Sequence, residues 1–169
     1  MIQTIHEFYR DARPYTELVN RFVEKTGLVG AAQADHICYK CGSKESFESQ
    51  RALLEPESEY VYQSYISGRR IACIRLKRPI ETSLGTIHLL ELSDQKRDGS
   101  QRDGFDHIEA YARRGSYEEM VAKLKKTEKV VAVVRPHHST HDIDIGNGFL
   151  FRCTRGPLVE KIKREEMSR

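Results

Sequence analysis

One short phrase occurs twice in this chain, and it limits the folds open to it. Residues 34–37 read Ala-Asp-His-Ile, and residues 105–108 read Phe-Asp-His-Ile. The two histidines, His36 and His107, stand 71 positions apart in a chain of 169, close to half its length. Each phrase lies in a strand-like run, and a helix-like segment follows each one. Self-similarity at a long, fixed spacing marks duplication of a supersecondary unit. A duplicated strand–helix unit with one histidine at the same point of each copy predicts two imidazoles facing each other across a pseudo-twofold axis. That is a metal-site geometry, so the repeat bears on function as well as fold.

The rest of the chain divides around this repeat. Residues 1–30 are expected to form an N-terminal helical extension. Ile2, Ile5, Phe8 and Tyr9 recur at helical spacing until Pro14 interrupts, and a second stretch from Tyr15 to Thr26 ends near Gly27. Residues 31–169 then hold the paired unit. Module one, 34–92, opens with a strand over 34–41. A helix started by Ser43 runs through Leu54 and is ended by Pro56. Strands follow at Glu59–Ile66 and Arg69–Arg78, joined by a tight turn at Ser67-Gly68, and a last strand covers Thr86–Leu92 after a loop bracketed by Pro79 and Gly85.

Residues 93–104 contain no apolar side chain and read as a linker. Module two, 105–155, repeats the order. A strand covers Phe105–Ala112, and Ser116 with Glu119 forms a capping box opening a helix to Lys126. Strands at Val130–Val134, His141–Ile145 and Phe149–Thr154 follow, and Pro157 starts a C-terminal helix over 157–166. Two β-α-β-β-β modules in tandem predict an α+β protein with an eight-stranded mixed sheet. Helices can cover only one face of that sheet, so the other must curl around a cavity.

Composition removes several function classes. Lys and Arg number 28 against 25 Asp and Glu, a formal net charge of +3, too small to argue for nucleic acid or an anionic membrane. No run has the length of a membrane-spanning helix, and Glu7, Asp11, Glu17 and Glu24 leave no apolar core for a leader in the first thirty residues. A cytoplasmic protein is expected, with Cys38, Cys41, Cys73 and Cys153 reduced. The expected partner is a small-molecule substrate or ligand. Two modules in one chain can already close one cavity, so the chain is read as a monomer or a homodimer.

Strand alternation sorts the candidate site residues. His36 shares a face with Cys38 and Lys40; Glu91 shares one with Ile87 and Leu89; His107 shares one with Glu109 and Tyr111. A carboxylate on an otherwise apolar strand is expensive unless it is paired or bound to a cation. If the first strands of both modules face one cavity, His36, Glu91 and His107 converge there. Two imidazoles and a carboxylate leave open coordination positions, a set that suits a divalent ion such as Zn, Fe, Mn, Ni or Co. The competing reading is a pair of hydrogen-bonded core histidines. Other clusters are weaker. His137-His138-x-x-His141 follows Pro136 in a hairpin and reads as a solvated loop. Cys38-x-x-Cys41 lies on a strand, where positions three apart face opposite sides. Arg69-Arg70 reads as a solvated hairpin tip rather than an anion contact.

Four segments taken in order carry a family resemblance: Ala34-Asp35-His36-Ile37, Ile66-Ser67-Gly68-Arg69 with the strand after it, Leu90-Glu91-Leu92, and Gly104-Phe105-Asp106-His107-Ile108-Glu109. From Ala34 to Arg155 the chain resembles the bacterial YecM family of the vicinal oxygen chelate superfamily, which includes glyoxalase I, fosfomycin-resistance proteins and extradiol dioxygenases. The resemblance implies paired β-α-β-β-β modules around a metal cavity, with ligands from the first, fourth, fifth and eighth strands. His36, Glu91 and His107 fill the first three places. Superfamily enzymes with four protein ligands put a glutamate in the last strand, and the matching place here holds Arg152, which cannot ligate a metal.

That departure weighs against a glyoxalase-type isomerisation. Arg152 could grip a substrate carboxylate or phosphonate, or pair with Glu91 or Glu109 over a site that takes no metal. The function expected is a divalent-metal-binding protein, an isomerase, lyase or oxygenase acting on a small substrate chelated through adjacent oxygens. Glu109 or Tyr111 would assist proton transfer. The alternative is a non-catalytic module that binds or sequesters a small molecule.

Overall fold

The computed structural model describes residues 2–66, 68–135 and 138–167, with the backbone alone for 164–167. Ser67 of the expected hairpin turn and Pro136 and His137 of the expected loop lie outside the described residues. The chain begins with helix α1, Ile5–Thr26, then strand β1, Ala32–Lys40, and helix α2, Lys44–Leu54, followed by one 3-10 turn at Glu55–Glu57. Strands β2, Ser58–Ile66, β3, Arg69–Thr82, and β4, Gly85–Ser93, complete the first half. The second half holds β5, Gly104–Ala112, helix α3, Tyr117–Leu124, and strands β6, Val131–Val133, β7, Thr140–Asp144, and β8, Leu150–Thr154; helix α4, Leu158–Met167, follows.

All eight strands join one mixed sheet in the order β2-β3-β4-β1-β5-β8-β7-β6. The order is a palindrome: each half lays down its second, third, fourth and first strands from the edge inwards. The two first strands, β1 and β5, meet antiparallel at the centre, while β1–β4 and β5–β8 are parallel. The α+β fold with tandem βαβββ halves is as expected.

The apolar face of the sheet is covered by helices. Thr4 and Glu7 form a capping box at the start of α1, and Gly27 ends it in the left-handed region at φ 65°. Between these caps Phe8, Ala12, Val19, Phe22 and Val23 make one continuous buried stripe. Phe8 and Tyr15 pack on Phe105, and Phe22 packs on Phe151. The expected break at Pro14 does not occur: α1 runs unbroken through it. Pro14 is exposed, so its ring points away from the sheet, and burial of the stripe on both sides of it outweighs the missing backbone bond.

The loop expected from Pro79 to Gly85 is also shorter. β3 continues through Pro79 to Thr82, and its pairing with β4 is irregular between Arg75 and Ile80. Pro79 sits inside that irregularity, where a strand tolerates a residue with no N–H to donate. Among the described residues no helix is long and apolar enough to cross a membrane.

The loop 94–103 is tied down by one buried side chain. Gln101 Nε2 donates to the carbonyls of Cys41 at 2.7 Å, Asp94 at 2.9 Å and Ser93 at 3.2 Å. Ile37, Tyr39, Phe105, Ile108 and Ala110 belong to the helix-side core. The residues between them, His36, Cys38, His107 and Glu109, are buried on the opposite face.

Candidate metal centre

Two slips in strand register build the site. Between β1 and β5, Ala34 pairs with Ala110 but His36 with Glu109, which leaves Asp35 as one extra residue on β1. Cys38 pairs with His107 but Tyr39 with Phe105, which leaves Asp106 as one extra residue on β5. A bulge of this kind breaks the alternation of a strand. Each aspartate therefore stands beside the histidine that follows it instead of opposite. Asp35 Oδ2 lies 2.8 Å from His36 Nδ1, and Asp106 Oδ2 lies 2.7 Å from His107 Nδ1.

A carboxylate on Nδ1 fixes the proton there and turns Nε2 inwards, the orientation a histidine ligand needs. Each aspartate is itself anchored. Asp35 accepts the Leu158 N–H at the start of α4 at 3.0 Å, and Asp106 accepts Lys40 Nζ at 2.6 Å. The duplicated phrase is thus an imidazole with its own orienting carboxylate, made twice.

The two rings approach to 6.0 Å between centroids. Donor atoms of His36, His107 and Glu109 all lie within 4.8 Å of one another. Glu91 Oε2 is 3.7 Å from His36 Nε2, and Glu91 Oε1 accepts Cys38 Sγ at 3.3 Å. Glu91 therefore stands at the rim of the cluster, on the His36 side, and Glu109 stands inside it. His36 Nε2 is buried and has no hydrogen-bond partner among the described residues. A buried, unpaired nitrogen is costly and calls for an explanation such as a bound ion.

Arg152 is placed by strand pairing. In the first half Cys38 lies opposite Glu91 and Cys73 lies opposite Glu91 on the other side. In the second half Glu109 and Asp142 flank Arg152 in the same way. Arg152 thus holds the position in module two that Glu91 holds in module one. Its Nε lies 3.0 Å from Asp142 Oδ1, and its Nη2 donates to Oδ2 at 2.9 Å. Its Nη1 reaches His107 Nε2 at 2.9 Å and stops 3.8 Å from Glu109. Asp142 is the principal partner, not Glu91 or Glu109. The sequence carried only a weak signal for it, since strand order decides which charge on β7 meets β8.

These contacts set the charges. Burial alone would lower the His36 pKa, but Glu109, Asp35 and Glu91 outweigh it and raise it from 6.5 to about 9. Burial and the Arg152 guanidinium push His107 the other way, so it is neutral with an Nε2 lone pair. Burial opposes ionisation of Glu109, yet His36, His138 and His107 hold its carboxyl well below the usual range. Burial likewise opposes ionisation of Glu91, and His36 and His107 override it. Burial and Glu91 push the Cys38 thiol up, so it is a neutral donor to Glu91 and not a thiolate ligand.

His138 does not behave as part of a solvated loop. Its Nε2 lies 3.2 Å from Glu109 Oε1, and its Nδ1 lies 3.2 Å from Lys161 Nζ on α4. His141 turns elsewhere, 2.6 Å from the Tyr117 hydroxyl. Tyr111 stands two positions beyond Glu109 on the same face of β5, and no hydrogen bond joins it to the imidazoles among the described residues. Burial first, then Asp35 and Glu160, raise its pKa and keep it protonated.

A single sheet of tandem βαβββ halves, with paired imidazoles where the two first strands meet, defines a glyoxalase/dioxygenase-type fold. The family model described as YecM protein matches residues 4–147, and the chain belongs to the YecM family. The structure described as Structural Genomics, Protein EC4020 is 20% identical with a TM-score of 0.68, and the match covers 98% of both chains. A variant of Streptomyces coelicolor methylmalonyl-CoA epimerase in complex with 2-nitronate-propionyl-CoA is 16% identical, with a TM-score of 0.46, covering 73% of this chain and 96% of that one. The fosfomycin resistance protein FosX from Mesorhizobium loti is 14% identical, with a TM-score of 0.28, covering 76% and 95%. No curated protein matches the sequence.

Proposed function

We propose that His36 and His107 hold a divalent metal ion through Nε2, with Glu109 and Glu91 as the carboxylate donors, in a protein that acts on a small molecule bearing adjacent oxygens. The observation that carries this reading is the buried His36 Nε2 without a partner, facing the second imidazole and Glu109. The donor set fits a borderline ion such as Zn(II), Fe(II), Mn(II), Ni(II) or Co(II), since both imidazoles are already oriented by carboxylates. When bound, such an ion would act as a Lewis acid on the substrate oxygens.

The protein's own groups would do the rest. Arg152 is held rigid by Asp142 and offers its Nη1 edge to an anionic substrate group. Glu109, linked through His138 to Lys161, would be free to take a proton only where Glu91 and the imidazoles hold the ion without it. Tyr111, kept neutral, is suited to donate one and not to accept one. The reaction classes consistent with this arrangement are isomerisation, elimination and oxygenation.

A second reading, binding or sequestration without turnover, is favoured by one contact. Arg152 Nη1 donates to the same His107 Nε2 lone pair that a metal would use. Metal analysis after purification without chelators separates the two. One divalent ion per chain, lost in His36→Ala and His107→Ala, supports the first reading. If calorimetry detects no binding of any of the five ions to the wild type, the metal reading fails. If an ion binds but diols, hydroxy acids and α-ketoaldehydes bind without turnover, sequestration stands.

A further inference from the structure

A cavity of ≈ 730 Å³ opens at the end of the sheet where the β2–β3 hairpin, the start of α2 and the 94–103 loop meet. Three segments far apart in sequence bring cations to its wall: Lys44 from α2, Arg69 and Arg70 from β3, and Lys96 and Arg97 from the loop. Two carboxylates share the wall, and both are taken by one residue. Arg70 Nε lies 2.8 Å from Asp94 Oδ2, and its Nη1 pairs with Glu48. Asp98, next along the loop from Arg97, accepts the N–H and hydroxyl of Ser100 at 3.0 and 2.7 Å and interacts with Lys96 only through space. Lys44, Arg69, Lys96 and Arg97 are left around one cavity with no ion pair among the described residues. Like charges lining one cavity repel one another, and a bound anion would relieve that repulsion.

The arrangement is also held in place. Arg69 Nη1 donates to Gln101 Oε1 at 2.6 Å, and Gln101 is the buried side chain that anchors the loop. Gly68 adopts φ +75°, and a Cβ there would lie 3.3 Å from Arg97 Nε. Glycine suits this left-handed turn, and its missing side chain leaves the Arg97 guanidinium close to the hairpin backbone. Arg69 stands four residues, or ~13 Å, along β3 from Cys73, and none of the residues lining the cavity belongs to the imidazole cluster.

The geometry points to a binding site for a phosphate-bearing small molecule, a phosphate ester or pyrophosphate. A phosphate group presents several acceptor oxygens and up to two charges, enough to engage guanidinium and ammonium groups from three directions. A single planar carboxylate would leave most of these cations unmatched. The site is independent of the metal reading.

Calorimetry with inorganic pyrophosphate tests it, using chelator-treated protein at about 0.15 M salt, where exposed charges are screened beyond ~8 Å. Saturable binding of one pyrophosphate per chain is expected. The double variant Lys96→Ala/Arg97→Ala should weaken it at least tenfold, and the distant Lys125→Ala/Lys126→Ala, with the same loss of charge, should not. Lys44→Ala gives a second reading should the loop variant not fold. Absence of saturable binding, or equal weakening in both double variants, would overturn the proposal. So would a duplex oligonucleotide binding more tightly than pyrophosphate, which would make this face a nucleic-acid surface.

Discussion

Asp35 and Asp106 show how much rests on single residues here. Each occupies a bulge and holds the neighbouring imidazole by Nδ1, so on the proposed reading neither would need to touch the ion to influence its binding. Second partners of this kind change metal affinity by roughly 10–100-fold when removed. Asp35→Ala is expected to weaken divalent-ion binding by that factor, measured by competition with a chelator, while the ion-to-protein ratio at saturation stays the same. The bulges were not legible in the sequence. A strict period of two puts neighbouring residues on opposite faces, and only register against the neighbouring strand reveals the extra residue. Burial also controls protonation at this scale. In the metal-free protein His36 holds its proton to about pH 9, against 6.5 for the ordinary group. The native state therefore binds a proton that the unfolded chain releases. This contribution to stability is complete below pH 6.5 and is lost as pH rises through 9. Urea unfolding of the metal-free wild type is expected to show stability falling across that window, and His36→Gln should flatten the fall.

Elements were legible where their period was strong and misread where a single residue was given too much weight. The capping box at Ser116 and Glu119 and the alternation in β1, β4 and β5 all identify elements that are present. Pro14 was read as a break, yet α1 passes through it because Ala12, Thr16 and Val19 bury the same stripe before and after. A proline inside a helix forfeits one backbone bond and costs up to ~3 kcal/mol relative to alanine. Pro14 is solvent-facing, so alanine there loses no core packing. Pro14→Ala is expected to stabilise the protein by about 1–3 kcal/mol, read as a higher midpoint in urea with an unchanged slope. A loss of stability would show that the proline sets an angle of α1 that the sheet requires. The hairpin expected around His138 is present, but the contact of its side chain with Glu109 is not written in the local pattern. Its distance from Glu109 depends on β7 and β6 being laid beside β8 in the sheet, which no local pattern records.

At the scale of the molecule, the palindromic sheet brings two equivalent half-sites to one place and then makes them unlike. Module one offers His36, Cys38, Cys73 and Glu91; the equivalent positions of module two hold His107, Glu109, Asp142 and Arg152. A glutamate has been exchanged for an arginine, and a thiol beside it for the aspartate that holds the arginine. The exchange is coupled. Arg152 without Asp142 would keep only Glu109 at 3.8 Å as a counter-charge, and Asp142 without Arg152 would keep Thr140 and, at 3.9 Å, Arg135. Arg152→Met alone is therefore expected to destabilise the fold by up to ~3 kcal/mol, since it removes the principal partner of a buried carboxylate. Replacing both members separates this structural penalty from the effect on the site. Arg152→Glu with Asp142→Asn removes the cation that donates to His107 Nε2, restores a carboxylate where module one has Glu91, and leaves a neutral neighbour beside it. If Arg152 is what limits access to His107, the double variant should bind Zn(II) at least tenfold more tightly than the wild type in chelator competition, still with one ion per chain. An unchanged or weaker affinity in a folded double variant would mean that the guanidinium does not compete with the ion. Arg152 would then be a residue for the substrate alone, and the two halves would have diverged to divide the work, module one and His107 for the ion and the β7–β8 pair for the ligand.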